Sequence, residues 1–164
     1  MVKVISLIAL ATVIAVTVIC KPEWLAENAF LVGFANHEVL ALMAVILTVT
    51  LASVANIHMT LNRIVARRFN NNVKLKTAAA DVKGELKDNA WYIFWGFTLT
   101  IAVLLVKGLN AEDTLIVAIS NGIVVWTLFL FILCMHDIYK VVFGIADLEM
   151  AVGSDDDDSS NLQS

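Results

Sequence analysis

Four long apolar runs leave this chain few ways to fold: residues 4–20, 39–61, 91–109 and 114–135 are almost free of charge, Lys107 being the only Asp, Glu, Lys or Arg inside them. Each is close to the roughly 20 residues that a helix needs to cross a bilayer. The runs are continuous rather than striped, so they do not read as helices that hide one face in a soluble core. Lipid is their natural solvent, and a span in lipid satisfies its own backbone only as a helix or a closed barrel. The fold class that follows is all-α, an integral membrane four-helix bundle, with residues 1–152 as one transmembrane domain. Composition agrees, since 60% of residues are hydrophobic and 16% charged.

The first run, interrupted only by Ser6, Thr12 and Thr17, imitates a signal peptide behind Lys3, but no small-x-small cleavage site precedes Lys21 and Pro22. Ile19 stands where a lipoprotein site at Cys20 would need a small residue, so the run reads as a retained anchor. The second run is followed at once by Arg63, Arg67 and Arg68, as a helix entering the headgroup region would be. The third opens on Trp91, Tyr92 and Trp95, rings suited to the membrane interface, and closes on a short polar turn that returns the chain antiparallel. Asp113 is the expected N-cap of the fourth. Beyond His136 and Asp137, residues 138–150 read as an amphipathic continuation, and 153–164 as a disordered acidic tail.

Seven of the eleven basic residues, Arg63, Arg67, Arg68, Lys74, Lys76, Lys83 and Lys87, lie between the second and third runs. The positive-inside rule makes this short basic loop cytoplasmic, and Lys3 and Lys140 then join it, leaving Lys21 and Lys107 outside. Both termini are expected in the cytoplasm, in a bacterial inner membrane. The outer segment 21–38 is itself apolar, with Trp24, Leu25, Phe30, Leu31 and Phe34, and fits either a helix lying in the interface or extensions of its neighbours. The formal charge of −4 equals the contribution of Asp155, Asp156, Asp157 and Asp158, so no basic face remains to track a nucleic acid. Cys20 and Cys134 fall toward opposite membrane faces, too far apart for a disulfide, and read as small buried hydrophobes.

Chemistry-bearing candidates are few. Ser53, Asn56, Thr60, Arg63 and Arg67 recur at spacings of three and four and form one polar stripe on the second span. Lipid penalises such a face, so it belongs against other helices of the bundle, against a second copy, or on a water-lined pathway. Ala44, Thr48, Ala52 and Asn56 make a neighbouring row of small residues, and Gly96 with Thr100 and Ala118 with Gly122 are similar pairs. Asn121 needs an interhelical hydrogen bond, expected from the second or third span, and Lys107 is expected to snorkel outward. His58 and His136 share a membrane depth, which raises a b-type haem between them, or a metal or proton relay with Asp137; His37 lies on the opposite face. The basic loop is too short for a catalytic domain, and no GxGxxG, P-loop, HExxH, CxxC or nucleophile-elbow pattern occurs, so no catalytic residue is assigned.

In span order and in its basic second-to-third loop, the chain resembles in layout the small four-span membrane component of phage-exclusion systems. That resemblance implies a channel-type activity and assigns no residue. The microsomal glutathione transferases have the same size and span number, but their Arg- and Glu-rich motif has no counterpart around Asn56 to Arg68. The functional expectation is a non-enzymatic membrane protein that associates with itself or another membrane subunit through the second span, as a subunit, regulator or ion-conducting effector. A haem-binding redox anchor is the alternative, and otherwise no cofactor is expected.

Overall fold

A computed structural model of the chain describes the backbone of residues 2–68 and 73–160; side chains at 2, 64, 66–68, 73–76, 78 and 145–160 are outside the description. The described residues form six α-helices: α1 (Val2–Cys20), α2 (Glu23–Ala26), α3 (Ala29–Phe34), α4 (His37–Arg68), α5 (Val73–Leu109) and α6 (Thr114–Ser160). Four stretches are long and apolar enough to cross a membrane, Lys3–Cys20, His37–Arg63, Ala79–Leu109 and Thr114–Gly144, and they contain the four expected runs.

The helix starts have local causes. Asp113 accepts from the amides of Leu115 and Ile116 and so caps α6, Asn28 does the same for α3 through Phe30 and Leu31, and Asn36 accepts from the Glu38 amide at the head of α4. Each supplies a side-chain oxygen to amides that have no partner within the first helical turn. In α1, Thr12 and Thr17 turn their hydroxyls back onto the carbonyls of Ile8 and Val13, which hides two polar groups from lipid.

Helix α6 is the hub. It packs against α5, α4, α2 and α1, and α4 and α5 also pack on each other. The core lies among α4, α5 and α6, where Val39, Met43, Leu86, Ile93, Val124 and Phe131 are fully buried. On α5 the inward row of Leu86, Ala90, Ile93, Gly96 and Thr100 recurs every three or four residues, the repeat that keeps one face on its neighbours. Gly96 is buried under α6: a Cβ there would lie 2.7 Å from Phe131 Cε1. Helix α1 sits outside this core, with no residue of its apolar stretch buried. It is held to α6 by the Trp126 indole N–H, which donates to the Leu7 carbonyl at 3.1 Å, by Ile14 seated over Gly122, and by an ion pair between Lys3 and Asp137.

Those contacts set two ends. Lys3 with Asp137, and Asn62 with Lys83, mark a near end that carries the N-terminus and the start of α5. Leu25, Ala35, Lys107 and Asn121 meet at the far end.

Three regions differ from the sequence expectation. The basic connector is mostly helix, because α4 runs to Arg68 and α5 begins at Val73. Ala78, Ala79, Ala80, Leu86 and the lysines are strong helix formers, and the buried Leu86 and Ala90 give that helix a face to pack. The backbone of α6 is likewise helical to Ser160, past Gly153 where the sequence predicts a disordered tail; the chain's single proline is Pro22, so no obligatory stop interrupts it. Of the two readings of the outer segment, extension of the neighbouring spans is the one overturned: α2 and α3 are separate short helices that form a cap on the bundle end, burying Ala26, Leu31 and Ala35 and leaving Trp24 and Phe30 outward.

Candidate functional site

The inward row of α4 is Val39, Met43, Thr50, Ile57 and Leu61. The stripe singled out by sequence lies beside this row, not in it. Asn56 and Arg63 are exposed, Ser53 and Thr60 are half-buried, and the Arg67 side chain is outside the described residues. The small row continues outward, with Ala44 half-buried and Ala41, Val45, Thr48 and Ala52 exposed. Thr48 satisfies its hydroxyl on the Ala44 carbonyl at 2.8 Å. The Asn56 side-chain amide has no hydrogen-bond partner among the described residues, although it falls inside the His37–Arg63 span. An exposed amide within a span, flanked by side chains small enough for another backbone to approach, is a polar group that lipid would penalise. Thr50, turned into the core at 3% exposure, escaped the sequence reading because its row is otherwise apolar.

A second polar cluster lies at the far end. Asn121 is fully buried; its Nδ2 donates to the Leu25 carbonyl at 2.7 Å and its Oδ1 accepts from Lys107 Nζ at 2.8 Å. Lys107 Nζ also donates to the Ala35 carbonyl at 2.9 Å. Leu25 lies in the last turn of α2 and Ala35 is the C-cap of α3, so both carbonyls are acceptors that short helices leave unpaired. One amide and one ammonium thus tie α2, α3, α5 and α6 together. Lys107 does not snorkel outward: its acceptors lie within the protein, and a charged hydrogen bond to a helix-end carbonyl competes well with water.

The titratable residues are dispersed. His58 is half-buried and the His136 side chain is 59% exposed, with its Nδ1 3.9 Å from Asp137 Oδ1. Asp137 is committed to Lys3 on α1, a partner no sequence spacing announced. Among the described residues no three His, Cys, Asp or Glu side chains converge on a common point, so His58, His136 and Asp137 do not come together as a three-ligand metal site. His37 is exposed at the other end of α4. Of the cysteines, Cys134 is buried as expected; Cys20 is exposed, a correction that follows from α1 standing outside the core. No family model matches the chain, and no match was found among characterised proteins or solved structures.

Proposed function

We propose that this protein is a non-enzymatic subunit of a membrane assembly that pairs with a second copy of itself through the outward face of α4. The observation that carries the reading is Asn56: a hydrogen-bonding amide on the lipid side of a membrane span, beside the small row Thr48 and Ala52. Two copies related by a twofold axis would offer each Asn56 the acceptor or donor it lacks, a bond worth about 0.6–2 kcal/mol, and close backbone approach adds packing energy. The interior among α4, α5 and α6 is filled by Met43, Ile93, Val124 and Phe131, so any ion path belongs between copies, lined by Ser53, Asn56 and Thr60. The near end, with nine of the eleven basic residues nearest it or in the segments leading to it, faces the cytoplasm in this reading.

Mass measurement on protein in detergent or nanodiscs tests it. The wild type is expected as a dimer or larger, and Asn56→Leu as a shift to monomer of about three- to thirtyfold in dissociation constant. A monomeric wild type, or an Asn56→Leu protein that associates as tightly, would remove the proposal. Liposome flux that Thr60→Val or Asn56→Leu changes would mark the assembly as conducting.

A further inference from the structure

Lys107 offers more than a cap for two carbonyls. An ammonium has three N–H donors; Ala35 and Asn121 take two, and the third has no partner among the described residues, where no carboxylate lies within ion-pair range either. Lys107 also lines a cleft of about 560 Å³ between the cap and the α4 and α5 spans, within the roughly 300–1,000 Å³ of ligand sites. Its walls include Leu40, Ile101, Leu104 and Leu105, and Asn36 and His37 also line it. Leu105 is 66% exposed, so the cleft opens sideways into the space that hydrocarbon fills around a spanning helix. A cation in need of a counter-charge therefore stands at the headgroup end of an apolar groove, the arrangement that suits an amphiphile with an anionic group on a hydrocarbon chain.

We propose that this cleft holds a zwitterionic phospholipid of the leaflet at the far end, its phosphate on the Lys107 ammonium and one acyl chain along Leu40, Ile101, Leu104 and Leu105. The choice of headgroup comes from the surrounding charge. Glu23, Glu27, Glu38, Glu112 and Asp113 are exposed at this end, against only Lys21 and Lys107. Local contact with Lys107 attracts a phosphate, while the acidic rim disfavours additional net negative charge and favours a headgroup carrying its own ammonium.

Native mass spectrometry of the delipidated full chain, titrated separately with dioleoyl phosphatidylethanolamine, dioleoyl phosphatidylglycerol and dioleoylglycerol, tests this. One phosphatidylethanolamine should be retained per chain, in preference to the other two. Lys107→Gln should lower that retention by about tenfold or more, the loss of one charge-assisted hydrogen bond. Leu105→Trp, at an exposed position that leaves the Lys107 bonds in place, should lower it by filling the groove, and it decides the matter if Lys107→Gln does not fold. Equal retention of dioleoylglycerol, tighter phosphatidylglycerol binding, or unchanged retention in Leu105→Trp would each overturn the assignment.

Discussion

Gly96 and Gly122 determine how near the helices come to α6, and they do so against different neighbours. At Gly96 an added methyl would meet Phe131 Cε1 at 2.7 Å and Thr127 Cγ2 at 3.0 Å; Phe131 is fully buried and has nowhere to move. At Gly122 it would meet Ile14 Cγ2 at 2.6 Å, on a helix with lipid behind it that can shift. Gly96→Ala should therefore destabilise the fold by about 1–3 kcal/mol, the range for overpacking, while Gly122→Ala, helped by the better helix propensity of alanine, should cost less. Denaturant unfolding of both variants in the same detergent checks the order. How far such sites can be read from sequence differs by residue. Gly96 and Thr100 were visible as a small pair, and Asp113 as a cap, because both signals are local. The bonds of Lys107 were not, since its acceptor at Ala35 is a backbone carbonyl, a group every residue presents, and it becomes specific only once the cap has folded over α5.

At the scale of elements, α1 and α6 meet along an apolar seam closed at the near end by Lys3 and Asp137. The Asp137 side chain is 13% exposed and that of Lys3 41%, so removing the lysine strands a carboxylate in a poorly hydrated place. Lys3→Ala should accordingly loosen α1 more than Lys3→Ala combined with Asp137→Ala, a double-mutant cycle with the pair's coupling visible as non-additivity. Protease or hydrogen-exchange protection of residues 3–20 gives the readout, and equal effects of the single and double changes would deny the coupling. The spans themselves were legible because hydrocarbon demands long uninterrupted apolar helices. The ends of the helices that carry them were not. The apolar run of the third span starts at Trp91, whereas the helix that carries it, α5, begins at Val73, because α5 still finds α4 and α6 to pack on before that run and polar residues can ride on its outer side.

For the whole molecule, length and sidedness are the relevant quantities. Helix α5, at 37 residues, extends about 55 Å at roughly 1.5 Å per residue, against a hydrocarbon layer of about 30 Å; in the orientation proposed above the excess would emerge at the near end, where its polar residues lie. Sidedness can be read with the native cysteines. Cys20, exposed at the far end of α1, should react with a membrane-impermeant maleimide added to intact cells, and buried Cys134 should stay unlabelled until the protein is denatured. Labelling of Cys20 only after the cells are broken would reverse the orientation. The charge asymmetry behind that expectation was fully legible, being a count of lysines and arginines, whereas the cap was legible only as an apolar outer segment, because helices as short as α2 and α3 carry too few residues to show which face is buried.

The Trp126 to Leu7 bond joins positions separated by 119 residues, and α1 touches little besides α6 and α2. Helix α1 therefore leaves the ribosome well before the α6 surface on which it docks. Until then it has only the short α2 beside it, and the arrival of α6 gathers it in, so that the making of this later span turns separately inserted segments into one body.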